Sequence, residues 1–427
     1  MQALSMKKLL FDVLSTIQPG NDELKSEKVF TKKLVRTLQR SAGRNAKAVL
    51  AGSMAKGTFL RQDKDIDVFL LFPRSIKKEN FAGIVKKITG NAFPDASYKT
   101  KYAEHPYLRM RIEGKNVDVV PAYKVNKAEN LKSAVDRSVF HTEFIVRKLE
   151  RSRIKEVLLL KKFLKCNELY GAEIRVGGFS GYLCELMIVK FGSFLNFLRV
   201  AIKWKGKEPV FIDITRQYKG KEEKEKAMKR FNTKFIVIDP TDRNRNVAAA
   251  VSPENLRRLI KTSKSFLKKP TARYFSAPKS FGEKIEIMRR DGISSYMIVF
   301  HKENVADDII WGQIRKVTNA LRAYMEKNEF DVNEVLMDCG EKRAVVAINI
   351  SKEKLPDRRE LKGPKTDMKE HTAAFVKAHK NARFKTRNGR MIAIVPREMI
   401  YAKDAIRGFF RKTVMPTHMK FVRFSEL

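Results

Sequence analysis

Two aspartates two residues apart, Asp65 and Asp67, lead into an apolar run of Val68, Phe69, Leu70 and Leu71, about a dozen residues after a Gly52-Ser53 pair. Successive strand residues point to opposite faces, so positions i and i+2 share one side and the two carboxylates share one small space. Like charges that close raise a pKa unless a cation sits between them, and magnesium with its oxygen ligands is the cation that fits. Gly52 and Ser53 would bring backbone amides and a hydroxyl up to phosphate oxygens, and a helix starting there would add its positive end. These parts suit the holding of a nucleoside triphosphate on two metal ions. The plainer alternative is a solvated charged turn, because Arg61, Asp63 and Lys64 lie alongside.

A third carboxylate weighs against that alternative. Asp118 stands mid-strand among Val117, Val119 and Val120, where an unpaired charge is costly. Such a residue needs a metal or a cation. Arg109 and Arg111, on an apparent strand over 107–112 that a Glu113-Gly114 turn joins to the next, are the competing partners.

The Gly-Ser, Asp-x-Asp and Val-Asp-Val-Val-Pro elements resemble the nucleotidyltransferase superfamily of DNA polymerase beta. Four further stretches narrow the likeness: Ala134-Val-Asp-Arg-Ser-Val-Phe-His141, Leu160-Lys-Lys-Phe-Leu-Lys-Cys-Asn-Glu-Leu-Tyr-Gly-Ala-Glu173, Gly178-Phe-Ser-Gly-Tyr-Leu-Cys-Glu185 and Asp239-Pro-Thr-Asp-Arg-Asn-Arg-Asn-Val-Ala-Ala249. Together they are similar to the archaeal, class I, CCA-adding tRNA nucleotidyltransferases over essentially the whole chain. The resemblance implies template-independent addition of CCA to the 3′ end of tRNA from CTP and ATP, with release of pyrophosphate. It implies two Mg2+ ions on Asp65, Asp67 and Asp118, and contact between Ser53 and the triphosphate. Under the same resemblance, Ser138 and His141 lie where ribose and phosphates are held. Lys161 and Tyr170 lie where the triphosphate is gripped, and Arg245 where the incoming base is read. The partners implied are CTP, ATP and tRNA, met at its acceptor end and elbow. The family commonly forms a homodimer, and no interface is legible in the sequence.

Each of these residues also has an ordinary structural role open to it. His141 could simply start a helix, Tyr170 could pack against the helix ending there, and Arg245 lies in a polar loop where Asp239 could pair with it. Two positions depart from the family pattern. Lys56 stands where Arg is usual, replacing a bidentate phosphate contact by a point charge. Asp65 stands where archaeal relatives commonly have Glu, one methylene shorter, a difference of about 1.5 Å in reach. Another RNA terminal transferase such as a poly(A) polymerase, or a non-catalytic RNA-binding protein on the same fold, are the rival readings. The Val-Asp-Arg-Ser and Arg245-Asn-Val-Ala-Ala motifs speak against the first, and the presence of all three carboxylates against the second.

Composition points the same way. The 427 residues hold 89 Lys plus Arg against 48 Asp plus Glu, a formal charge of +41, so the long-range field attracts polyanions. With 43% hydrophobic residues the chain is built to fold, and its length suits two to four domains. Asp12 interrupts the apolar start before a signal-peptide core could form, and Glu185, Lys190, Arg199 and Lys203 charge the most apolar helix candidate, 182–204, too heavily for a bilayer. A cytoplasmic protein without a membrane partner is expected. Cys166, Cys184 and Cys339 lack metal-ligand spacing and are expected as small buried residues.

The elements that must position these residues follow from pattern. The expected fold class is α+β. A nucleotidyltransferase palm, a mixed sheet with helices, spans 1–141, with a basic helix over 26–40 and another near 79–88. A helical neck that selects the base spans 142–270, with helices over 142–167, 181–204 and 253–266, Ser252 as N-cap and Pro253 at the first helical position. The lysine-rich 218–230 is an exposed loop or a solvated helix. An α+β body and tail that binds tRNA spans 271–427. It has an amphipathic helix over 309–328, strands over 335–339 and 343–350, a basic stretch over 355–369 leading into a helix, and a hairpin turning at Asn388-Gly389.

Overall fold

The computed structural model describes residues 2–102, 106–125, 133, 135–204, 208–291 and 294–427. It forms two compact units, Met1–Pro278 and Lys279–Leu427.

The first unit begins with α1 (Gln2–Ile17) and α2 (Asn21–Ala42), followed by β1 (Lys47–Ala51), α3 (Gly52–Lys56), β2 (Ile66–Phe72), α4 (Phe81–Ala92), β3 (Tyr98–Tyr102), β4 (Pro106–Ile112) and β5 (Lys115–Tyr123). The five strands make one sheet in the order β1-β2-β5-β4-β3. Here β2 and β5 run parallel, and the other neighbours are antiparallel. The Glu113-Gly114 turn joins β4 to β5 with both residues at positive φ, +48° and +76°, as a tight hairpin requires.

Alternation along the strands divides the sheet into two faces. Val68, Leu70, Phe72, Val117 and Val119 meet Phe30, Leu34 and Leu38 of α2 and Phe81 and Val85 of α4. The i, i+4, i+8 spacing of the α2 residues is what turns that helix's lysines and arginines outward. On the other face Val49, Ala51, Phe69, Leu71 and Val120 pack with Val135 and Val139.

The unit continues through α5 (Arg137–Lys148), α6 (Ile154–Cys166), α7 (Gly181–Phe191), α8 (Phe194–Ala201), β6 (Val210–Ile212), α9 (Gly220–Phe231), β7 (Phe235–Asp239), β8 (Asp242–Asn246) and α10 (Pro253–Lys268). The helix expected over 142–167 is two helices, parted at Leu149 and a 3-10 turn, Arg151–Arg153. The one expected over 181–204 breaks at Gly192, whose φ of +81° no helix continues, and Ser193 then caps α8 by accepting from the Asn196 N–H. Ser252 caps α10 with Pro253 at its first position, as expected. The solvated helix proves to be α9, laced by a Lys226–Glu222 pair at 2.6 Å. Missing from the sequence-based picture of a helical neck is the small sheet β6-β7-β8. Also missing is α1, whose Val13 and Ile17 join the core of α6 and α7. Of the three cysteines only Cys184 is buried; Cys166 and Cys339 are half-buried at helix and strand ends.

The second unit comprises α11 (Phe281–Arg290), β9 (Ser294–Lys302), α12 (Asp307–Lys327), β10 (Val332–Cys339), β11 (Arg343–Ile350), β12 (Arg358–Lys365), α13 (Lys369–Ala378), β13 (Arg383–Arg387), β14 (Arg390–Pro396), α14 (Ala402–Lys412) and β15 (Met419–Glu426). An antiparallel sheet ordered β10-β11-β9-β15 shares its core with Ile310, Ile314, Val317 and Leu321 of α12 and Ile406 and Phe409 of α14. The basic stretch at 355–369 holds β12, an edge strand of a second sheet, β12-β14-β13. Its pairing shifts register between Lys362 and Lys365, which accommodates Pro364 without a lost ladder bond in the sheet interior. Asn388 and Gly389, at φ +49° and +66°, form the expected hairpin turn.

Candidate active site

One row of residues crosses the palm on the face away from α2. Ala51 stands opposite Asp67, Asp67 beside Asp118, Asp118 opposite Arg109, and Arg109 opposite Lys99. Two carboxylates as direct cross-strand neighbours repel one another, so the row needs positive charge. Part of it comes from Arg109, whose Nε and Nη2 donate to both oxygens of Asp118 at 2.7 and 2.6 Å. The same Nη2 lies 3.9 Å from Asp65 Oδ2.

Asp67 keeps the deficit. Desolvation, then the charges of Asp118 and Asp65, push its carboxyl up to about 7, against the pull of Lys56 and Arg109. An oxygen-donor set this short of positive charge fits a hard divalent cation. Among the described residues no three or more His, Cys, Asp or Glu are drawn together tightly enough to hold a metal ion. The reason is visible in the row: Arg109 takes up Asp118, while Asp65 lies just before β2 and is exposed.

The Gly52-Ser53 turn lies over this row. Gly52 adopts φ +68°, and a β-carbon there would run into the Asp67 carboxylate. The helix expected after it is the five-residue α3, ended by Gly57 in the left-handed region. It is too short to add a macrodipole, so what it offers is its first backbone N–H groups. A cleft of about 460 Å³ opens here, lined by Ser53, Asp63, Asp65, Asp67, Lys165, Tyr170, Gly171 and Glu173. Lys165 pairs with Asp63 and lies 5.1 Å from the centre of the Tyr170 ring. Burial pushes the Tyr170 hydroxyl above the ordinary phenol range, so it stays a neutral donor.

Lys56 and Lys161 lie elsewhere, on one buried carboxylate. Lys56 Nζ is 2.5 Å from Glu185 Oε2, and Lys161 Nζ is 3.3 Å from Oε1 and 2.9 Å from the Thr58 carbonyl oxygen. Burial pushes the Lys161 ammonium down. It would push Glu185 up, but the charges of Lys161 and Lys56 hold that carboxyl below its ordinary value. Tyr170 is close by: a β-carbon on Gly181 would sit 2.9 Å from its hydroxyl and 3.6 Å from Lys161 Nζ.

A third group forms around Asp239. His141 Nε2 and Arg245 Nη1 lie 2.8 and 2.9 Å from its Oδ2, and Tyr182 and Thr241 donate to its Oδ1. The His141 and Tyr182 rings stack at 3.8 Å. Arg245 thus has the ion pair that its motif allowed. Ser138 lies half-buried in the first turn of α5, one turn before His141. Ala134, from the same motif, lies outside the described residues.

Gly52, Ser53, Asp65, Asp67, Asp118 and Tyr170 are therefore brought together, while Lys56 with Lys161, and His141 with Arg245, form two adjoining groups linked by Lys56 Nζ 6.0 Å over the Tyr182 ring. Sequence reasoning missed Lys165, Thr58, Tyr182 and the role of Glu185. Lys165 had a signal, because it lies one turn beyond Lys161 on the same helix. Glu185 also had one, as a lone acid in an apolar helix, although that charge served above only to exclude a membrane span.

Residues 31–141 match the nucleotidyltransferase domain family, 155–276 the family described as tRNA nucleotidyltransferase, second domain, and 291–420 the family described as CCA-adding enzyme, C-terminal domain. The CCA-adding enzyme of Methanocaldococcus jannaschii is 32% identical over 98% of this chain and 95% of its own length. That of Archaeoglobus fulgidus is 30% identical over 95% of this chain and 90% of its own. That of Saccharolobus shibatae is 36% identical over 70% of this chain and 68% of its own.

Proposed function

The chain belongs to the archaeal-type CCA-adding enzymes of the nucleotidyltransferase superfamily, and from that premise we propose how its own residues add C, C and A to the 3′ end of tRNA without a template. Nucleotidyl transfer in this family is metal-dependent. Divalent ions held here, two Mg2+ on this reading, would supply the charge that activates the RNA 3′-hydroxyl and stabilises the departing pyrophosphate.

Asp67 and Asp118, side by side, with Asp65 at the mouth, supply the oxygens. The observation behind this assignment is the direct pairing of Asp67 with Asp118 on parallel strands, beneath a glycine whose missing side chain leaves room for the carboxylate. Arg109 holds both oxygens of Asp118 in place until a cation competes for them. Gly52 lets the backbone pass close over Asp67 and brings the Ser53 hydroxyl to the triphosphate. Tyr170 holds phosphate oxygens from the far wall of the cleft, with Lys56 and Lys161 behind it. Asp239 fixes the Arg245 guanidinium so that its remaining donors meet the incoming base, while His141 and Ser138 hold the ribose and phosphates.

The proposed division of labour is catalysis in residues 1–141, base selection in 142–270 and tRNA binding in 271–427. The partners are tRNA, CTP and ATP. No described helix is long and apolar enough to cross a membrane.

The test is addition to a tRNA that ends at its discriminator base, in magnesium, with CTP, ATP, UTP or all three. Two C additions, one A and little U are expected; a long A tail would overturn the reading. The Asp67→Ala protein should bind tRNA and add nothing, and retained activity would show the carboxylate roles to be misassigned.

A further inference from the structure

Glu185 has no part in the chemistry above, yet it is a wholly buried acid that three polar side chains engage. It lies in α7 among Leu183, Cys184, Leu186 and Met187, wholly buried. Lys56 Nζ and Thr58 Oγ1 each approach it at 2.5 Å and Lys161 Nζ at 3.3 Å. Lys56 ends α3, the short helix that begins with the phosphate-facing turn, and Lys161 adjoins the Tyr170 hydroxyl on the cleft wall.

The charge count of this cluster is uneven. Two ammonium groups share one carboxylate, and the side chains of Lys56, Lys161 and Glu185 are 7%, 4% and 0% exposed. An ordinary buried ion pair is neutral, because surplus buried charge is costly without a further counter-ion. Asp67 feels Lys56 from the side of the cleft, and a triphosphate in that cleft is a further anion of the required kind. Lysine at position 56 suits an exchange of partners, since its ammonium is a point charge with rotatable donors, unlike the fixed fork of an arginine. The Thr58 hydroxyl donates to the carboxylate and so weakens its hold on both lysines.

We propose that Glu185 is a positioning residue, the internal counter-ion of Lys56 and Lys161, which competes with the triphosphate of the incoming nucleotide for them. It holds both lysines ready when the cleft is empty and reclaims them as pyrophosphate leaves. This rests on the assignment of the cleft to a nucleoside triphosphate.

The test compares the full-length protein with Glu185→Gln and Thr58→Val. It measures equilibrium binding of inorganic pyrophosphate by calorimetry in magnesium buffer, and KM and kcat for CTP and ATP in addition to tRNA. Without the competing charge, Glu185→Gln should bind pyrophosphate about tenfold more tightly, a change of about 1.4 kcal/mol. Its KM for both nucleotides should fall, and its kcat should fall as product release slows. In Thr58→Val the carboxylate loses its neutral donor and leans harder on the lysines, so pyrophosphate binding should weaken and KM rise. A cluster that served folding alone would move both variants the same way; that result, or unchanged pyrophosphate affinity in Glu185→Gln, would overturn the proposal. Should Glu185→Gln fail to fold, Thr58→Val decides: weaker pyrophosphate binding supports the proposal, and unchanged or tighter binding overturns it. Failure of the unmodified protein to extend tRNA would count against the functional reading, while opposed pyrophosphate shifts would still support the role of Glu185.

Discussion

A β-carbon on Gly52 would stand 2.0 Å from Oδ2 of Asp67, so turn and strand touch through the one residue that has no side chain. The obstructed atom is the end of a short side chain, which can swing away. Gly52→Ala should therefore fold, with a loss of about 1–2 kcal/mol for an L-residue at positive φ. Its nucleotide addition should fall at least about 100-fold, because the carboxylate is displaced by an ångström or more. Melting curves and single-turnover rates would separate the two effects. A variant that lost stability and kept its rate would contradict the placement of Asp67.

Arg109 and Asp118 form a second dependent pair. Arg109→Met leaves Asp118, 7% exposed, without its partner. The expected loss is about 1–3 kcal/mol, below that of a fully buried pair because part of Arg109 faces water. Magnesium should recover more of that loss in the variant than it adds to the unmodified protein, since a cation replaces the missing guanidinium. Denaturant melts with and without magnesium measure this, and an equal gain in both proteins would argue against Asp118 as a ligand.

Acid should weaken the group around Asp239. Burial pushes the His141 imidazole below its ordinary value. The unfolded chain takes that proton near pH 6.5, the folded chain resists it, and stability falls as the pH drops through that region. Burial would raise Asp239, but His141, the Thr241 N–H and Arg245 outweigh it and hold the carboxyl well below its ordinary range. Its contribution is in place above about pH 3.9, the unfolded value, and is lost as the pH falls toward the folded one. Both slopes have the same sign. His141→Gln should flatten the limb between about pH 7 and 5, seen by chemical denaturation at stepped pH. Parallel curves for the two proteins would contradict a neutral buried His141.

Charge sets the last expectation. With a formal +41, tRNA binding should be dominated by phosphate contacts and weaken about a thousandfold or more between about 50 and 200 mM salt. Filter binding across that range is sufficient. A flat profile would mean that the basic surplus does not face the RNA.

The palm was legible because its signals are local. Alternation around Asp67 and Asp118 specified strand and face together, and Glu113-Gly114, like Asn388-Gly389 in the second unit, pairs a glycine with a turn position that the structure holds at positive φ. The three-residue β6 gave no periodicity to detect, and β8, Asp-Arg-Asn-Arg-Asn, has the composition of a loop; side-chain bonds from Asn246 to the backbone of Phe235 and Val237 hold it in place. The grouping of Lys56 and Lys161 was hidden for another reason. Their shared partner, Glu185, is 129 and 24 residues away in sequence, and no local pattern records such an encounter.

The single charge of β2, Asp67 in an otherwise apolar strand, joins two kinds of failure that are usually separate. Sliding the strand by one position would put Val68 where Asp67 stands and drive a carboxylate among Phe30, Leu34 and Phe81. An insertion or deletion here would thus remove the carboxylate from the site and bury a charge in the core at the same stroke. Such chains are removed by cellular proteolysis as unfolded protein. The cell is thereby spared a stable product that could occupy tRNA ends without extending them.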